Sequence, residues 1–116
     1  MEKLVEKIKR YESIIINLLK EEARTFPLQP ELNDLVITDK ENGHFQLLRV
    51  GWVEDDRILQ VLIHMDISGA GKIWIQENLT ELAVDEELLK KGVLTSDIVL
   101  GLQPPTYRQF TEFAES

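Results

Sequence analysis

The chain has 116 residues, 43% of them hydrophobic, enough for one modest core and too few for a second. Its 13 Lys and Arg against 21 Asp and Glu give a formal net charge of −8, which opposes long-range attraction to nucleic acid and to anionic lipid. The absence of cysteine excludes disulfides, thiolate nucleophiles and Cys-based metal sites.

No run approaches the roughly 20 apolar residues needed to cross a bilayer, and MEKLVEKIKRYES at the N-terminus interleaves charges with its apolar positions. The expectation is one cytoplasmic domain over residues 1–116 without membrane association. From Glu2 to about Arg24, Leu4, Ile8, Tyr11, Ile15, Leu18 and Leu19 recur at three- and four-residue steps, the stripe of an α-helix. Val5, Ile14 and Ile16 widen that stripe, so the helix is expected to lie across a sheet or meet a second surface. Pro27 and Pro30 end it.

Four strand patterns follow, Leu35–Thr38, Phe45–Val53, Ile58–Ile67 and Lys72–Gln76, separated by the turn chemistry of ENGH, EDDR and SGAG. With Glu54–Arg57 closing the middle hairpin, Trp52 faces Leu59, Val50 faces Val61 and Leu48 faces Ile63. Across the next turn, Ile67 pairs with Ile73 and Met65 with Ile75. In that register the second face carries Phe45, Leu47, Val53, Ile58, Leu62 and Trp74 among Arg49, Gln60, His64, Asp66 and Gln76. A face so mixed is expected to be covered by a helix or by another subunit.

After the sheet, Thr80 is expected to cap a helix through LAVDEELLKKG, with its acids early and Lys90 and Lys91 before Gly92. Ser96 and Asp97 start a short turn before VLGL, and Pro104 and Pro105 precede a last segment, read as helical, with Tyr107, Phe110 and Phe113. The fold class is therefore α+β: an antiparallel meander of about four strands, a long N-terminal helix, a second helix after the sheet and a short C-terminal helical segment.

Three strings invite a chemical reading. His64 and Asp66, two apart in a strand, project from the same face, but a metal site wants a third and usually a fourth ligand, and the register sets His44 on the opposite side. SGAGK lacks the Walker spacing, and Lys72 is followed by a strand rather than a helix; Gly69 and Gly71 supply positive φ in a hairpin turn. Asp85, Glu86 and Glu87 point in different directions around their helix and read as a solvated face. No catalytic, cofactor-binding or metal residue is assigned, and no cofactor is expected.

The order of HFQLLRVGW, VLIHMDI, KIWIQ, GV followed by DIVLG, and PPTYRQFTEFA resembles the XisI family of fdxN-element excision controlling factors, from the Tyr11 region to Ala114. The resemblance implies an accessory protein of cyanobacterial setting, acting with a companion called XisH to control excision by a separate site-specific recombinase during heterocyst development. Departures are Asn78-Leu79-Thr80, where family members often have Asp-Gly-Thr, and Gln103, where they often have histidine.

The leading expectation is a non-enzymatic interaction protein, itself a homodimer or higher oligomer, that binds a XisH-like partner and meets DNA only indirectly. Its candidate interaction surface is Phe45, Arg49, Leu62, His64, Asp66 and Trp74 on the mixed face, with Tyr107 and Phe110. A second reading is direct DNA binding by Lys3, Lys7, Lys9, Arg10, Lys20 and Arg24 on the first helix, a strip interrupted by Glu2, Glu6, Glu12, Glu21 and Glu22. A third is a small metal-dependent hydrolase or nuclease using His64 and Asp66.

Overall fold

In the computed structural model, a 22-residue helix, α1 (Leu4–Thr25), lies across one face of a sheet. The structure describes all residues except 26–29 and the side chains of Arg24 and Thr25, so the helix-ending role of Pro27 lies outside the described residues. Tyr11, Ile15, Leu18 and Leu19 are buried, and Ile8, Ile14, Ile16 and Ala23 pack partly against the same core. The widened apolar stripe thus covers a sheet, as expected.

The meander runs β1 (Leu32–Asp39), β2 (His44–Val53), β3 (Asp56–Ile67) and β4 (Ile73–Asn78), each antiparallel to the one before. A fifth, two-residue strand, β5 (Ile98–Val99), pairs in parallel with β4 and makes the sheet mixed. Two residues between Leu94 and Leu100 are too few for periodicity to register, which is why the sequence shows only four strands. Between β4 and β5 stands α2 (Val84–Lys90), closed by a Schellman arrangement in which Val93 N–H donates to Leu88 O, Gly92 N–H donates to Leu89 O and Gly92 takes φ 103°. Thr80 does not cap α2; its amide and hydroxyl donate to Asn78 Oδ1, while its Oγ1 accepts from Leu82 N–H, in a turn ahead of the helix. A 3-10 turn at Thr95–Asp97 leads into β5, and the C-terminal helix α3 (Pro105–Arg108) is one turn long. Beyond α3 the chain returns to the sheet through a bridge between Val99 and Ala114.

The β2–β3 register departs from the expected one. The hairpin closes on two residues, Glu54 and Asp55, with Glu54 at φ 56°, so Trp52 faces Arg57, Val50 faces Leu59 and Leu48 faces Val61. One step on, Leu47 faces Ile63, and Leu62 is an extra residue on β3, a β-bulge. Leu62 and Ile63 are both buried in the core. The bulge reverses parity: Phe45 and Leu47 lie beneath α1 with Ile63 and Met65, not on the second face where the unbulged register set them. The β3–β4 pairs Ile67–Ile73 and Met65–Ile75 are as expected, and a second irregularity there leaves Gln76 unpaired with β3.

Among the described residues, none forms a layer over the face away from α1. Leu35, Ile37, Trp52 and Leu59 are exposed on it at 44%, 41%, 48% and 68%, beside half-buried Leu48, Val50 and Val61. Its other end, around His44 and Asp66, is polar.

Candidate functional site

The turn into β2 fixes the first member of the polar cluster. Asp39 Oδ1 accepts from Asn42 N–H at 3.1 Å, Asp39 O accepts from Gly43 N–H, and Gly43 takes φ 74°. A Cβ on Gly43 would stand 2.5 Å from Ile67 O, so glycine lets the two strands close here. Ile67 N–H donates to Gly43 O, and the next residue, His44, comes directly opposite Asp66. Gln46 comes opposite His64. His64 and Asp66 share a face by strand alternation, and the bulge at Leu62 turns His44 and Gln46 to that same face.

The geometry is tight. His44 Nδ1 lies 2.6 Å and His64 Nε2 2.7 Å from the same oxygen, Asp66 Oδ1. The two imidazole centroids are 5.8 Å apart with a 36° tilt. Gln76 Nε2 donates to Asp66 Oδ2 at 3.1 Å, and Gln46 Oε1 lies 3.2 Å from His64 Nδ1. Trp74, opposite Asp66 on β4, carries the Arg108 guanidinium 5.1 Å from its ring centroid. Arg108 also donates to the carbonyls of Leu100, Gly101 and Gln103, which pins the C-terminal segment beside the cluster.

Burial pushes the Asp66 carboxyl up, but hydrogen bonds from His44, His64 and Gln76 together outweigh it and hold the group below the ordinary carboxylate range. Its hydrogen bond to His44 raises the His44 imidazole above its usual value against a small cost of burial, and the charges of Asp66 and Asp39 act in the same direction.

Of the residues expected at the interaction surface, His64, Asp66 and Trp74 do share the uncovered face. Phe45 and Leu62 do not: they are 0% and 5% exposed in the core under α1. Arg49 also turns toward the α1 side, where its Nε and Nη2 donate to the two oxygens of Asp34 at 2.9 and 3.1 Å. Tyr107 and Phe110 are exposed at 61% and 80%, while Phe113 is the C-terminal aromatic that packs on the core. His44 and Gln46 escape a sequence reading because nothing in the alternation of β2 and β3 marks the bulge that gathers them, whereas Gln76 stands on the face where the sequence set it, with His64 and Asp66. In the SGAGK turn Gly71 takes φ 77°, but Gly69 does not have positive φ, and Ser68 and Lys72 close the turn by a backbone hydrogen bond. A second concavity, between α1 and β1, is lined by Ser13, Ile16, Asn17, Lys20, Val36, Thr38 and Lys40 and brings no acid–base pair together.

The family described as XisI protein matches residues 5–115. A crystal structure of a XisI-like protein from Anabaena variabilis is similar with a TM-score of 0.87 and 39% identity, over 92% of this chain and 97% of that one. The crystal structure of the fdxN element excision controlling factor XisI from the same organism is similar with a TM-score of 0.81 and 32% identity, over 95% of this chain and 99% of that one. No curated protein matches the chain.

Proposed function

Because the chain belongs to the XisI family, we propose that it is a non-enzymatic accessory factor that controls excision of a DNA element by a separate recombinase, through contact with a XisH-like partner protein. One observation carries the contact: the sheet face opposite α1 presents Leu35, Ile37, Trp52 and Leu59 to solvent, with no layer over them among the described residues. Sheets with two apolar faces bury both, and contiguous apolar patches of this kind mark protein contacts. Polar groups at one end, His44, Gln46, His64, Asp66 and Gln76, supply the hydrogen-bonding rim that gives an apolar patch its orientation.

Direct DNA binding has less support. Two of the cations in the α1 strip are engaged within the protein, Lys7 with Asp97 and Arg10 with Glu2, and the net charge of −8 repels phosphate. Control then consists of differential binding, in which the factor prefers one state or assembly of its partner over another.

The test is co-expression with a XisH-like companion from the same genome, nuclease treatment, and measurement of complex mass at moderate and high salt. A defined complex that survives both, and is lost in Leu59→Glu and Trp52→Glu, supports the reading. No complex at either salt overturns it. The mass of the chain alone, measured alongside, reports whether the same face also joins two copies.

A further inference from the structure

His44, His64 and Asp66 offer two imidazole nitrogens and a carboxylate oxygen, and these three donor atoms lie within 4.8 Å of one another. They stand on adjacent strands, so the cross-strand register sets their spacing. His64 Nε2 points at Asp66 Oδ1, 2.7 Å away, and shares a proton with it in metal-free protein; when an ion takes that proton's place the ring N–H moves to Nδ1, where Gln46 Oε1 stands 3.2 Å away to accept it. A ring nitrogen and an anionic oxygen that share a proton are both ligands for a cation that replaces it. Gln76, bound to Oδ2, turns the other oxygen of Asp66 to both rings. A histidine whose far nitrogen donates to a carbonyl-type oxygen, and a carboxylate oriented by an amide, are the outer supports that metal-binding side chains characteristically have.

We propose that His44 Nδ1, His64 Nε2 and Asp66 Oδ1 bind a divalent first-row transition ion of the zinc class, with its remaining coordination position open on the uncovered sheet face. Two nitrogen donors select such an ion over magnesium or calcium, which take oxygen ligands. Two histidines and one carboxylate are a sufficient protein ligand set when one position stays open. In a tetrahedral site with metal–ligand distances of roughly 2 Å, neighbouring donors are a little over 3 Å apart, so both imidazoles draw back from Asp66 Oδ1 by about half an ångström and their nitrogens close toward each other to admit the ion. His44 is free to do so, its side chain being 52% exposed at the start of its strand. The site rests on the sheet geometry alone and does not depend on the excision reading.

The test uses the full chain without a histidine tag, treated with chelator and titrated with Zn²⁺ by calorimetry and with Co²⁺ by visible absorption. The expected result is one equivalent of zinc per chain, displaceable by chelator, and cobalt d–d bands of a four-coordinate site. His44→Ala and Asp66→Asn should each weaken zinc by about tenfold or more, with the far-ultraviolet circular dichroism of the wild type, and Mg²⁺ should give no heat. If one variant fails to fold, the other decides. Absence of saturable binding at about millimolar zinc overturns the proposal, and so does binding that both variants leave unchanged.

Discussion

Tyr11 Oη donates to Asp97 Oδ2 at 2.6 Å and ties the middle of α1 to the 3-10 turn that opens β5, 86 residues later. Both residues are buried, Tyr11 at 0% and Asp97 at 6% exposure, and Lys7 completes the carboxylate's partners at 3.2 Å. The buried acid is thereby supplied with a donor and a counter-charge, and the two sequence-distant halves of the core are joined.

Tyr11→Phe keeps the ring in the core and removes the donor to Asp97 together with the acceptor of Leu94 N–H, 3.4 Å away. A buried charged acceptor that loses a hydrogen bond costs about 1 to 3 kcal/mol. Urea denaturation should show the midpoint falling with an unchanged slope; a midpoint equal to that of the wild type would show that Lys7 alone satisfies Asp97.

Glu22 behaves in the opposite sense. It is 7% exposed on the sheet side of α1, and burial, with help from the charges of Asp34 and Glu87, raises its carboxyl above the ordinary range. A carboxyl whose folded pKa lies above its unfolded value binds more protons when folded, so stability falls as pH rises from the unfolded value through the folded one. Glu22→Gln should therefore stabilise the protein at pH 7 by on the order of 1 kcal/mol and remove that slope, which thermal melts from pH 4 to 8 would record.

The His44–Asp66 pair has a different pH signature. The raised His44 contributes stability that is fully present below its unfolded value and lost as pH rises through its folded value; the lowered Asp66 contributes stability present above its unfolded value and lost as pH falls through its folded one. The pair is thus strongest between the two unfolded values, roughly pH 4 to 6.5. Imidazole resonances should titrate above the ordinary histidine value for His44 in metal-free protein and move back toward it in Asp66→Asn, even with Asp39 still nearby. No movement would mean that the 2.6 Å contact is not kept in solution.

Gly51 admits no side chain. At φ 151°, a Cβ there would overlap the Glu31 carbonyl oxygen, which accepts from Trp52 N–H at the start of β1. Gly51→Ala should destabilise by about 3 kcal/mol or more, because either the strand pairing or the backbone angle must give way. Amide exchange in β1 should rise first. Protection equal to that of the wild type would sink this account.

Much of the fold was legible in the sequence for local reasons. The stripe from Ile8 to Leu19 obeys helical spacing, the turns at ENGH and SGAG use residues that turns require, and the pairs Ile67–Ile73 and Met65–Ile75 follow from a short turn with no irregularity between. Length, charge and the string of motifs resembling the XisI family were likewise properties of the chain itself. Strand alternation alone also set His64 and Asp66 on one face. The tertiary structure decided what they meet there. One extra residue, Leu62, reversed the parity of β2 against β3, sent Phe45 into the core and brought His44 across to Asp66. Side-chain period in a strand is two, so a single bulge inverts every assignment beyond it, and whether a bulge forms depends on how Leu62 and Ile63 pack together beneath α1 rather than on any local preference of the residues around them.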